Sequence, residues 1–194
     1  MKHANLLKEN LSKSIDLKER MLSDNRLLSS FQRAAEALAK SYQLGGKILI
    51  AGNGGSAADA QHLAAEFVSK LARDRDPLPA EALTVDSSII TAIGNDYGFE
   101  KVFARQILGK AQENDIFLGI TTSGNSQNII EALRACKEIG VSSILLSAGT
   151  GGLACNVADI SILVPKGSTA NIQEAHLVIE HTLCELIENL LFGE

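Results

Sequence analysis

"KILIAGNGGSAADAQHLAAEF", residues 47–67, decides how the rest of the chain is read. It opens on a short, nearly continuous apolar run, Ile48 to Ala51, the pattern of a strand buried on both faces. Glycines, an asparagine and a serine follow, and the stretch from Ser56 to Leu71 then has the composition of a helix. A strand that turns through glycines straight into a helix is the opening of a βα unit. The N–H groups at such a helix start suit an anion. The helix behind them carries Asp59, His62 and Glu66.

The same unit recurs outward from this point. Residues 3–22 and 24–43 read as two amphipathic helices, with Leu27, Leu28, Phe31, Ala34, Ala35, Leu38 and Ala39 near helical period. "LGG" at 44–46 ends the second. After the polar loop "RDRDPLP" comes a strand at 81–85, then a mainly helical 87–110 broken by "GNDYG" at 94–98. Strands are expected at 115–121, 141–147 and 159–165, with helices at 126–139 and 170–192. The prediction is an α/β fold: a five-stranded parallel sheet flanked by helices in three layers, flavodoxin- or Rossmann-like, preceded by a helical hairpin. One domain spans 1–194, with helices over 1–43 and the α/β core over 44–194. Right-handed crossovers place the loops after the strands along one sheet edge, where open α/β folds bind ligands. Three of these loops are rich in small polar residues: "GNGGS", "TTSGNS" and "SAGTGG".

With 194 residues and a hydrophobic fraction of 45%, the chain can bury a sizeable core. A net charge of −5 without a basic run argues against a nucleic-acid partner. The N-terminus mixes charge with apolar residues, so neither a secretion signal nor a membrane span is expected there. The three cysteines, Cys136, Cys155 and Cys184, are far apart and lack zinc-ribbon spacing; reduced thiols in a cytoplasm are the simplest account.

Gly52, Gly54 and Ala57 also satisfy the G-x-G-x-x-A dinucleotide fingerprint, with Asp86 after the second strand as the ribose-binding acid. Two features count against a nucleotide cofactor. The helix spends polar residues where a dinucleotide helix packs apolar ones, and "TTSGNS" offers a second set of donors at another strand end. No Lys follows the glycines, so the triphosphate loop pattern fails. Thr121, Thr122, Ser123 and Ser126 suit a monophosphate ester, although Ser126 alone also reads as a helix cap.

His62 and Glu66, four residues apart, share one helix face. The last helix supplies Gln173, Glu174, His176, Glu180 and His181. At about 100° per residue, Gln173 lies within reach of one site with either His176 or His181, and the spacing does not choose between them.

"AGNGGSAADAQHLAAEF", "AIGNDYGFEKVFARQ", "TSGNS" and "IQEAHLVIEH" together resemble the phosphoheptose isomerases of the SIS (sugar isomerase) fold family, over nearly the whole chain. The resemblance implies conversion of D-sedoheptulose 7-phosphate to D-glycero-D-manno-heptose 7-phosphate, for bacterial lipopolysaccharide and other surface glycans. It implies one zinc ion per subunit on His62, Glu66, Gln173 and His181, and so prefers His181 to His176. It implies Glu66 and His181 as the catalytic pair. Substrate contacts fall on Asn53, Gly54, Gly55, Ser56, Glu66, Asn95, Asp96, Thr121, Thr122, Ser123, Ser126 and Gln173. It also implies a cytoplasmic homotetramer with sites between subunits. Thr121 stands where relatives often have Ser, and the hydroxyl survives. The alternative is a non-catalytic branch of the fold that binds a replication-initiator protein, whose members lack the paired Glu and His; the tail "CELIENLLF" is similar to that branch.

Overall fold

In the computed structural model, which describes residues 2–193, a parallel sheet of five strands runs in the order β2-β1-β3-β4-β5. The strands are β1 (Ile48–Ala51), β2 (Ala80–Ala82), β3 (Ile116–Ile120), β4 (Ser142–Ala148) and β5 (Ile160–Val164). The helices are α1 (Lys2–Leu22), α2 (Asn25–Gln43), α3 (Gly55–Val68), α4 (Ser87–Tyr97), α5 (Ala104–Lys110), α6 (Gln127–Ile139) and α7 (Thr169–Phe192). Alternation along each strand sorts the core into two layers, since successive side chains point to opposite faces. Ile48, Ile50, Leu118, Ile144 and Leu146 pack with Leu38 of α2, Phe67 of α3 and Leu183 of α7. Leu49, Phe117 and Leu145 pack with Ile107 of α5 and Leu133 of α6. Full burial of each such side chain contributes about 1.5–3 kcal/mol.

The hairpin divides its work. α2 lays Leu27, Ala34, Ala35 and Leu38 against the core, and Asp24 Oδ1 caps it by accepting the N–H groups of Arg26 and Leu27 at 3.0 Å. α1 buries Leu17 and Met21 but leaves Leu6, Leu7, Leu11 and Ile15 more than half exposed, at 53–62%. Among the described residues, no helix is long and apolar enough to cross a membrane.

Three boundaries differ from the sequence expectation by more than one residue. The second strand is Ala80–Ala82, not 81–85: it is an edge strand paired only with β1, and its last ladder contact is Leu83 N–H to Ile50 O at 2.8 Å. α3 stops at Val68, not Leu71. Arg75 donates to the Glu66 carbonyl at 3.0 Å and the Phe67 carbonyl at 2.7 Å, supplying partners to the exposed carbonyls of the last turn. Its partner Glu188, 3.2 Å away, accepts the N–H groups of Leu71, Ala72 and Arg73 and so bends the chain out of helix. Both side chains are almost fully buried, and a buried pair of this kind holds only when its remaining polar atoms are satisfied, as here. The third difference is in 87–110, where α4 runs through Gly94 and the chain turns only at Gly98, whose φ is 90°.

The strand order places a switch point between β1 and β3. From β1 the chain moves outward to β2, then returns across to β3, so the loops after β1 and β3 diverge. A crevice opens between them, and such crevices take ligands in open α/β sheets.

Candidate functional site

The loop after β1 is built for close approach. A Cβ at Gly52 would lie 2.3 Å from the Ser56 carbonyl, so only glycine lets the helix start so near the strand. Gly54, at φ 57° and ψ −120°, takes the cap position of α3 without any side-chain cap, and buried Ser56 donates its N–H to Asn53 O at 3.0 Å. Asp86, the ribose-binding candidate of the dinucleotide reading, is instead the cap of α4: its Oδ1 accepts the Ile89 N–H at 2.9 Å.

The loop after β3 presents hydroxyls. Ser126 occupies the cap position of α6 but makes no side-chain cap bond; its Oγ lies 2.9 Å from Thr121 Oγ1. Thr121 is buried, Thr122 half-buried and Ser123 exposed. The loop after β4, "SAGTGG", is a buttress. Ser147 Oγ donates to Thr121 O at 2.6 Å, and Ala154 N–H bonds Gly124 O at 2.9 Å. A Cβ at Gly124, where φ is 67°, would sit 2.0 Å from the Gly151 carbonyl. A cleft of about 810 Å³ separates the first two loops, lined by Asn53, Gly54, Phe99, Glu100, Ser126, Gln127 and Asn128.

On the outer side of α3, His62 and Glu66 meet His181 of α7. His62 Nε2 lies 2.8 Å from His181 Nε2 and 3.6 Å from Glu66 Oε1, and the rings meet edge-on at 76°. Two imidazole nitrogens this close share either a proton or a cation. All three donor atoms fall within 4.8 Å of one another. Tetrahedral zinc with ligands near 2.0–2.1 Å sets donor atoms roughly 3.3 Å apart, and the observed 2.8 and 3.6 Å bracket that spacing. Gln173 packs its amide directly over Gly55, where a Cβ would meet its Nε2 at 1.9 Å. That contact ties Gln173 of α7 to the glycine loop.

The structure separates the two histidines that spacing left open. His176 is fully buried, and its Nε2 donates to the Ser147 carbonyl at 3.2 Å. Burial pushes its pKa down to about 4. It is a core residue; His181 is the one beside His62. Behind the triad, fully buried Glu180 has no hydrogen-bond partner for either oxygen among the described residues, and neither does Asp59 Oδ2. Burial, and then the Asp59 carboxylate, push the Glu180 pKa up to about 8.

Of the expected contacts, Asn53, Gly54 and Ser126 line the cleft, whereas Gly55, Ser56, Glu66, Asn95, Asp96, Thr121, Thr122, Ser123 and Gln173 do not. Asn95 and Asp96 are exposed on α4 and bond each other at 2.7 Å. Conversely, Phe99, Glu100, Gln127 and Asn128 line it without having been singled out in the sequence. Of these, Gln127 and Asn128 had a local signal, as polar residues directly after Ser126 at a helix start.

Residues 11–148 match the SIS domain. The chain is 50% identical to the phosphoheptose isomerase of Aneurinibacillus thermoaerophilus, over 96% of this chain and 94% of the relative. It is 45% identical to that of Clostridium acetobutylicum, over 98% and 97%. Among solved structures, the phosphoheptose isomerase of Francisella tularensis superposes with a TM-score of 0.92 at 38% identity, over 97% of this chain and 100% of that one. That of Neisseria gonorrhoeae gives 0.89 at 39%, over 96% and 98%.

Proposed function

The chain belongs to the phosphoheptose isomerases, enzymes built on the SIS domain, and from that premise we propose that it interconverts D-sedoheptulose 7-phosphate and D-glycero-D-manno-heptose 7-phosphate. The observation that carries this reading is the convergence of His62 and Glu66, on the helix launched by the glycine loop, with His181 of α7. The product would supply heptose for surface glycans, made in the cytoplasm.

Aldose–ketose exchange moves a proton between C1 and C2 and protons between the two oxygens. Thr121, Thr122, Ser123 and Ser126, with the first N–H groups of α6, hold the phosphate end and carry no part of the chemistry. Asn53, Gly54, Gly55, Ser56 and Gln173 orient the sugar from the opposite wall. Glu66, half-buried, takes the proton from one carbon and returns it to the other, and His181 exchanges protons with the oxygens. His62, Glu66, Gln173 and His181 would hold one zinc ion, and this thiolate-free set suits other divalent metals too. When bound, that ion supplies polarisation of the carbonyl and stabilisation of negative charge on oxygen. A carboxylate held by a cation would be a weaker base, so the metal-holding and proton-taking roles of Glu66 oppose each other.

We assign the whole chain to one unit that assembles as a homotetramer with sites between subunits. Support comes from the bare leucines of α1 and from an apolar groove of about 560 Å³ lined by Leu22, Leu28, Phe31 and Val178 among others. Asn95 and Asp96, exposed on α4, then serve a site completed by another subunit. The test is a sedoheptulose 7-phosphate assay beside metal analysis and light scattering. A metal-loaded assembly without turnover defeats the isomerase reading, and a fully active monomer defeats the assembly.

A further inference from the structure

Asn53 and Asn128 form a reciprocal amide pair across the switch point. Asn53 Nδ2 donates to Asn128 Oδ1 at 2.9 Å, and Asn128 Nδ2 donates to Asn53 Oδ1 at 2.8 Å. Asn128 is buried, at 3% exposure, and Asn53 is half-buried; both line the cleft. We propose that Asn128 is a positioning residue for the isomerase reaction: it fixes the side-chain amide of Asn53, and with it the sugar-facing wall of the cleft.

This rests on the reading above that Asn53 contacts the sugar. The backbone of Asn53 is set by α3, because its carbonyl accepts the Ser56 N–H. Its side chain is set by α6, through Asn128. An amide has two N–H donors and two carbonyl lone pairs. The pair consumes one donor and one lone pair on each residue, which leaves Asn53 one N–H and one lone pair in a fixed orientation. Asn128 follows Ser126 by two residues, so the same bridge fixes the sugar-facing amide relative to the phosphate hydroxyls. That makes the length of the bound ligand a property of the pair. An aspartate at 128 has the right shape but offers only acceptors, so it faces Asn53 Oδ1 with a second oxygen and loses one bond.

The experiment is a double-mutant cycle on kcat and KM for sedoheptulose 7-phosphate, with metal-loaded wild type, Asn53→Ala, Asn128→Ala and the double variant. Asn128→Asp is added as the isosteric case. All are assayed at a temperature where circular dichroism shows each to be folded. Asn128→Ala and Asn128→Asp should each raise KM about tenfold, the equivalent of roughly one to two neutral hydrogen bonds. The double variant should be no worse than Asn53→Ala within about twofold, because acting through Asn53 leaves nothing further to lose. A merely structural role lowers the active fraction, and so kcat, while leaving KM in place. Losses that multiply in the double variant, or Asn128→Asp with wild-type KM, overturn the inference while the isomerase reading stands. Asn53→Ala without effect removes the assignment of Asn53 and the inference together. Wild type without turnover counts against the isomerase reading itself.

Discussion

The β1–α3 and β3–α6 units are the same device used twice, and their differences divide the labour of the site. Both turn from a strand into a helix through a glycine at positive φ, 57° at Gly54 and 67° at Gly124. A Cβ at Gly54 would meet open space, with nothing within 4 Å, whereas Gly124 is pressed against the Gly151 carbonyl. Behind the first turn the helix carries His62 and Glu66; behind the second it carries Asn128 and an apolar face of Ile129, Ile130 and Leu133. At its positive-φ glycine the first turn is open, although Gly52 and Gly55 beside it are closely packed, and its helix bears His62 and Glu66. At its positive-φ glycine the second is buttressed, and its loop bears neutral donors. A fixed anion anchor and a reactive centre need different surroundings, and on the proposed reading the repeat supplies one of each.

Four variants test that division. Glu66→Gln keeps shape and removes the basic oxygen, so kcat should fall by about 10²–10⁴-fold or more with the sugar phosphate still bound. The readout is exchange of the C1 or C2 hydrogen with solvent deuterium by NMR, with zinc in excess. Exchange at the wild-type rate transfers the base to another residue, His181 first. Gly124→Ala combines a positive φ with a backbone clash and should cost about 3 kcal/mol or more in denaturant unfolding. A cost near zero would show that the buttress yields. Replacing Ser123 and Ser126 by alanine should weaken substrate affinity, at about 1.5–3 kcal/mol for each bond to the charged phosphate, with kcat little changed. Calorimetric affinity equal to wild type removes the phosphate assignment. Gly54→Ala meets only the conformational penalty of φ 57° with ψ −120°, about 1–3 kcal/mol. If it destabilises as much as Gly124→Ala, the contrast between an open and a buttressed loop is wrong.

The parts of the molecule that were legible in the sequence are those governed by local pattern. Apolar runs marked all five strands, and helical period marked the helices, because burial on a sheet or a helix face repeats over a few residues. The loops "GNGGS" and "TTSGNS" were legible as helix starts for the same reason. What was not legible depended on distant partners. The end of α3 is set by Arg75 and Glu188, which are 113 residues apart. Asp86 is the exception: its partner Ile89 is only three residues on, and an Asp just before a helix is a local cap signal that the ribose reading passed over. His176 and His181 share a helix, yet which one is buried depends on what packs against each face. Asn128 acquires its partner 75 residues away.

His176 has a thermodynamic consequence of its own. Its folded pKa of about 4 lies below the ordinary 6.5, because burial disfavours the imidazolium. Below pH 6.5 the unfolded chain takes up a proton that the folded chain refuses until about pH 4. Stability from this group is therefore complete above pH 6.5 and is lost as acid is added, by about 3 kcal/mol at pH 4. Glu180, one turn further along α7, shifts in the opposite sense, so the group is isolated by difference. His176→Gln retains a donor for the Ser147 carbonyl and cannot titrate. Urea unfolding at pH 7 and pH 4.5 should show a smaller acid-induced drop in the variant than in wild type, and equal drops would locate the acid sensitivity elsewhere. A ring walled into the core behind the β4 buttress thus acts as a proton ledger between the folded and unfolded chains, and it sets how far into acid the sheet and its loops stay assembled.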